Sequence, residues 1–140
     1  MPNDQTLLGF DFGLKHIGVA VGQTFTHTAQ PLTSLKAEKG IPQWEEIKKL
    51  INTWQPHALV VGIPLNMDGT EQPLTHAAKK FAASLEQHFH LIVHLVDERL
   101  SSVEARAHLF EHGGYKSLQK KAIDSMAAKL ILETWLSNHH

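Results

Sequence analysis

The chain has 140 residues, 42% of them apolar, and a formal net charge of −1. That length and apolar content suit one folded domain rather than a disordered chain, and the charge gives no overall argument for a polyanionic partner. No cysteine is present, which excludes disulfides, thiol chemistry and cysteine zinc sites. No run of eighteen apolar residues and no signal-peptide core occur, so the expectation is a soluble cytoplasmic protein with no membrane partner.

Leu7-Leu8-Gly9-Phe10-Asp11-Phe12 is a short apolar run that suits a buried strand. Gly13 to His16 supply a turn. Ile17 to Gly22 alternate large β-branched residues with small ones, the pattern of a strand packed closely on one face. The two runs predict a β-hairpin. Thr28 to Leu35 reads as a third strand, with Pro31 placing it at an edge or bulge. Trp44, Ile47, Leu50, Ile51 and Trp54 predict a helix over Pro42 to Trp54, stopped by Pro56. Ala58 to Ile63 is a further buried strand, followed by a loop from Pro64 to Pro73. A helix over Leu74 to Gln87, a strand over Leu91 to Val96 and a last helix over Leu118 to Leu136 complete the pattern. Between the last two, Ser101-Ser102-Val103-Glu104 resembles a capping box that opens another helix, closed by Gly113-Gly114. Glu104 is explained by that cap without catalysis.

This order predicts an α/β fold with a five-stranded mixed sheet: a three-strand antiparallel meander plus two parallel strands, with helices on both faces. One domain is expected over residues 1–138. His139-His140 end the chain, as native sequence or a tag remnant, and stay outside the functional reading. Eleven histidines are scattered along the chain without a His-Glu-x-x-His pattern. His88 and His90, flanking Phe89, read as polar residues at an element boundary rather than a metal site. From Arg99 to Lys129 six Lys/Arg stand against three Asp/Glu, the composition of a modest basic surface or of an ordinary solvated helix.

Acids at three places in the chain stand out against their surroundings. Asp11 sits in a strand otherwise made of Leu, Gly and Phe, where a carboxylate needs a partner, a hydrogen bond or a metal. Its alternative role is to cap the turn at Gly13. Asp97 and Glu98 follow a strand directly, at the carboxyl end where α/β sheets gather their sites. Glu98 shares side-chain parity with Ile92, His94 and Val96, and Asp97 points the other way. Either could instead cap the next helix or pair with Arg99. Asp124 lies in line with Ala127, Ala128 and Ile131 of an almost wholly apolar helix. A surface pair with Lys120 or Lys121 is its alternative. Carboxylates meeting at one sheet edge would suit magnesium or manganese and two-metal phosphodiester hydrolysis.

Four segments carry a family resemblance. Gly9-Phe10-Asp11-Phe12-Gly13-Leu14-Lys15-His16-Ile17-Gly18-Val19-Ala20 resembles the opening motif of the YqgF family of RuvC-like Holliday junction resolvases. Gly62-Ile63-Pro64-Leu65-Asn66-Met67-Asp68-Gly69-Thr70, then Asp97-Glu98-Arg99-Leu100-Ser101-Ser102-Val103-Glu104-Ala105, then Ile123-Asp124-Ser125-Met126-Ala127-Ala128 resemble its second, third and fourth. The resemblance implies an RNase H-like fold. It also implies a catalytic and metal-binding triad of Asp11, Glu98 and Asp124 with two Mg2+ or Mn2+ ions. The substrate it implies is the 5′ end of pre-16S ribosomal RNA, in ribosome biogenesis, or branched DNA. Position 16 departs from the pattern: it holds His where the family commonly has Arg, and an imidazole is the weaker phosphate partner at neutral pH.

Lys15, Asn66, Arg99, Lys116, Lys120 and Lys121 are the expected nucleic-acid contacts, with Tyr115 a candidate for stacking on a base. Asn66 and the backbone of Asp68-Gly69 could line the cleft, with simple turn chemistry the stronger reading for Gly69. Asp-Phe-Gly before a glycine-containing hairpin also resembles the phosphate loop of actin-like ATPases, so a nucleotide-binding module is a competing reading. A non-catalytic RNA-binding ribosome-assembly factor is another. Either a monomer or a homodimer fits, and a junction resolvase calls for the dimer.

Overall fold

Alternation of large and small side chains gives the first strands two unlike faces, and the architecture follows from that difference. The computed structural model describes residues 5–98 and 117–138, with side chains from residue 123 onward in the second span. The strands are β1 (Thr6–Asp11), β2 (His16–Gln23), β3 (Thr28–Glu38), β4 (Ile41–Pro42), β5 (Ala58–Ile63) and β6 (Ile92–Asp97). The described helices are α1 (Trp44–Trp54), α2 (Pro73–Phe89) and α3 (Ser117–Asn138). The strands form one mixed sheet in the order β4-β3-β2-β1-β5-β6. β1, β2, β3 and β4 pair antiparallel in succession, while β1–β5 and β5–β6 are parallel.

The sheet has six strands rather than the expected five. The extra one, β4, pairs Glu38 with Ile41 and Ala37 with Pro42. Lys39 and Gly40, at φ 52° and 80°, make the tight two-residue turn that matches strand twist. A two-residue strand holds too little alternation to be read in advance. On β3 the register passes from Val19–Thr33 to Ala20–Pro31, so Leu32 is an inserted residue beside the proline. Pro31 has no N–H for the ladder, and the bulge falls where that lack is tolerated.

One face of the sheet is covered by α1 and α2. Its core contains Leu8, Phe10, Ile17, Val19, Leu59, Val61 and Phe81, with Phe10 and Phe81 edge to face at 5.7 Å. α1 ends where Gln55 turns left-handed and donates its N–H to Ile51 O at 2.8 Å; Pro56 then prevents continuation. α2 starts on Thr75, whose hydroxyl accepts from Gln72 N and donates to Pro64 O. It closes on left-handed His90, and His88 stacks on Trp44 at 4.0 Å between ring centroids. The other face is covered by α3 through Leu7, Ala20, Val60, Val96, Ala128, Ile131 and Leu132. No helix among the described residues is long and apolar enough to cross a membrane. The helix expected to open at Ser101 lies outside the described residues.

Candidate active site

The α3 face is built from small residues, and this brings the helix backbone onto the sheet. A Cβ on Gly9 would lie 2.9 Å from Leu132 Cβ. A Cβ on Gly18 would collide with the carbonyl of Asp124 and lie 3.1 Å from Ser125 N. The close packing expected from the alternation of residues 17–22 therefore has a definite partner. Gly18 is the cross-strand partner of Asp11 on one side and of Ser34 on the other. Ser34 Oγ donates to Asp124 Oδ2 at 3.2 Å. So Asp124 is set over the β2–β3 side of Asp11 by a glycine beneath its backbone and a serine beside its carboxylate.

Glu98 arrives from the other side. β5 lies parallel to β1, with Phe10 opposite Val61, and Gly62 follows Val61. A Cβ on Gly62 would fall 2.9 Å from Glu98 Cγ and Oε1 and 2.5 Å from Ile131 Cδ1. The Glu98 side chain thus occupies the room that the missing Gly62 side chain leaves. Its parity matches Val96, which belongs to the α3-side core. Asp11 and Glu98 are each 7% exposed and Asp124 is half-buried. The three acids share one face and the carboxyl-terminal end of β1, β5 and β6.

The donor set is of the kind a hard divalent cation takes. All three groups offer carboxylate oxygens, and Glu98 Oε1 is shielded from solvent. Among the described residues no three His, Asp or Glu side chains are already gathered tightly enough to form a cage around one ion. His88 and His90, at the end of α2, take no part in it.

The other expected contacts separate by position. Lys15 is exposed in the turn after β1. Asn66 lies in the loop after β5, where its N–H donates to Thr70 O and its Nδ2 to Thr70 Oγ1 at 3.0 Å. Asp68 Oδ1 accepts from Thr70 N at 3.0 Å and from Thr70 Oγ1 at 2.6 Å, and Gly69 has φ 90°. Turn chemistry accounts for all three, with Asn66 left exposed at the surface. Lys120 and Lys121 belong to the first turns of α3, with side chains outside the described set. Arg99, Glu104, Tyr115, Lys116 and His139-His140 also lie outside the described residues. Ser34 is the site residue that sequence reasoning missed, because a serine on a strand near the sheet edge carries no signal of its own.

The architecture first defines a class. Solved structures that superpose on the chain include T. thermophilus RuvC in complex with a Holliday junction substrate, with a TM-score of 0.52 at 14% identity over 96% of this chain and 94% of that one. The yeast mitochondrial Holliday junction resolvase gives 0.52 at 12% identity, over 93% of this chain and 77% of that one. These likenesses are of fold, and the fold is the RNase H-like fold of the RuvC-type resolvases.

Residues 5–138 match the family model described as RuvX, Holliday junction resolvase, and the chain belongs to that family. A relative in Pectobacterium carotovorum named "Putative pre-16S rRNA nuclease" is 57% identical over 136 residues, covering 97% of this chain and 98% of its own. One of the same name in Actinobacillus pleuropneumoniae serotype 7 is 60% identical over 131 residues, covering 94% and 96%. By family the chain is a nuclease, a hydrolase of phosphodiester bonds, and divalent-metal dependence is general to this class.

Proposed function

We propose that the chain cuts the 5′ end of pre-16S ribosomal RNA, using two Mg2+ or Mn2+ ions held by Asp11, Glu98 and Asp124. The observation that carries this reading is the pair of glycines flanking Asp11. One lies under the backbone of Asp124 and the other against the side chain of Glu98, which supports reading the three acids as one site. Ions held by these carboxylates would lower the pKa of an attacking water and would stabilise charge on the leaving oxygen. The chain's own groups do the rest. Asp11 is held at the rigid end of β1, Glu98 is fixed against Gly62, and Asp124 is oriented by Ser34. Burial of Asp11 and Glu98 limits water around their oxygens, which strengthens their hold on a cation. Lys15, Asn66 and, beyond the described residues, Arg99, Lys116, Lys120 and Lys121 would hold backbone phosphates without reading sequence.

The test is cleavage of an RNA spanning the 16S 5′ leader, in parallel with a four-way DNA junction, in Mg2+ or Mn2+. We expect the RNA to be cut, chelation to stop it, and Asp11→Asn to abolish it while the circular dichroism spectrum is unchanged. Undiminished cutting by Asp11→Asn would remove the site. A preference for the junction, with a dimer by light scattering, would replace the substrate while keeping the site. The RuvC-type fold supports that second reading. Restoration of 16S maturation by a triply substituted triad mutant would instead leave a non-catalytic assembly factor.

A further inference from the structure

A polyanion approaching three carboxylates needs cations close to them, and the α3 face offers one from β3. Beyond the Gly18–Ser34 pair the two strands continue with His16 opposite Lys36. Ser34 and Lys36 are two residues apart, so their side chains leave the same face of the sheet. Leu35 between them is buried in the opposite core. About 7 Å of strand separates the anchor of Asp124 from the root of this lysine. Lys36 is exposed, and among the described residues it forms no ion pair.

The surface continues from Lys36 along the β3–β4 hairpin. Ala37 N donates to Lys15 O at 2.8 Å and Gly40 N to Leu14 O at 2.9 Å, which locks the hairpin to the turn after Asp11. Lys15 and Lys39 are both exposed on these joined turns. A groove of about 570 Å³ runs along the hairpin, lined by Lys36, Glu38, Lys39, Ile41 and their neighbours. Glu38 stands beside the hairpin turn, and along β3 Lys36 lies closer to Ser34 than Lys39 does.

We infer that Lys36 holds a backbone phosphate of the nucleic acid next to the acidic cluster, and that Lys15 and Lys39 extend this contact as a track over the joined turns. The inference rests on the nuclease reading above. As a point charge on a flexible stem, Lys36 would contribute affinity without sequence preference.

The test uses the full chain carrying Asp11→Asn, so that the probe survives, with fluorescence anisotropy of a single-stranded RNA and a DNA duplex across a salt series. Adding Lys36→Ala should weaken binding several-fold at low salt. It should also make the plot of log affinity against log salt shallower, by about 0.7 for the single strand and about 0.9 for the duplex. Adding His16→Arg to that variant should restore the slope, because the new charge rises from the cross-strand position. Lys48→Ala, exposed on α1 across the sheet, should leave the slope alone. An unchanged slope in Lys36→Ala, or an equal loss in Lys48→Ala, overturns the inference while leaving the nuclease reading in place. A parent that neither binds nor, with Asp11 restored, cuts nucleic acid overturns both.

Discussion

The two faces of the sheet are made by the same strands under opposite demands. Toward α1 and α2, strands β1, β2 and β5 present Leu8, Phe10, Ile17, Val19, Val21, Leu59, Val61 and Ile63. Toward α3, alternate positions of those strands hold Gly9, Asp11, Gly18, Ala20, Gly22, Val60 and Gly62. Large side chains bury more apolar surface and keep the helices at ordinary packing distance. Small ones give up that burial and let the backbone of α3 touch the strands. The first face is where stability is concentrated, and the second is where carboxylates can be brought together. A glycine here acts as a space for a neighbour's functional group rather than as a flexible point.

Phe10→Ala should have the largest effect on stability. It removes a fully buried ring and its edge contact with Phe81, a change that costs about 3–5 kcal/mol. The urea midpoint should fall accordingly. Nuclease activity per folded molecule, measured well below the melting temperature, should survive. If activity vanished while the fold remained, the division of labour between the faces would be wrong.

Gly18→Ala should reverse that pattern. Its added methyl meets the backbone of Asp124, which cannot turn aside as a side chain can. Overpacking of this kind costs about 1–3 kcal/mol, and α3 must shift to relieve it. We expect nuclease activity to be lost even in protein that remains folded. Gly22→Ala is the paired control. Its nearest neighbour is the end of Leu132, at 2.9 Å, with Thr28 O at 3.1 Å. These contacts are far looser than the approach to Asp124 O at Gly18, so stability should fall less and activity should persist. Equal loss of activity in the two variants would mean that closeness of α3, rather than placement of Asp124, is what matters.

Ser34→Ala sharpens the comparison further, since it removes one hydrogen bond without adding bulk. The cost in stability should be about 1 kcal/mol. Groups that orient metal ligands are typically worth between about 10- and 100-fold in metal affinity. The bond here is 3.2 Å long, so the lower end of that range is expected. Titration of activity with Mn2+ should show a raised half-saturation point and a recoverable maximum. A lowered maximum with an unchanged midpoint would assign Ser34 to substrate rather than to Asp124.

These contrasts explain what could be read from the residues alone. Strand β2 was legible because large and small residues alternate along it, β1 and β5 because each is a short apolar run, and α1 because its apolar spacing ends at a proline. β4 was not legible, being two residues held by a turn. Asp11 and Asp124 were legible as acids in apolar surroundings, and Glu98 by its place at the carboxyl end of a strand. What their positions could not express was how close packing at glycines sets each of them. That depends on Gly18 and Gly62 being opposite the right neighbours, which only strand register decides. Ser34 and Lys36 were invisible for the same reason: their meaning comes from being aligned with Gly18 and His16 across a ladder.

The loop from β5 to α2 touches the α1–α2 core through Leu65 and supplies the smallest expected effect. Leu65 bridges to Glu71, and Glu71 is ion-paired with Lys79 on α2. The hydrogen bond from Lys79, then its charge, hold the Glu71 carboxyl below the usual carboxylate range, with a smaller pull from His76. A carboxyl whose value is lowered on folding stabilises the fold above its unfolded value, and this is lost as pH falls through the folded one. The window therefore lies in acid, below about pH 4. Lys79→Ala should raise the Glu71 value, read by NMR titration of its carboxyl carbon. Melting at neutral pH should not change measurably, because the pair is exposed and screened by water. Cleavage should also be unchanged. Reduced cleavage with an unaltered melt would draw this loop, and Asn66 at its surface, into the handling of substrate alongside the α3 face.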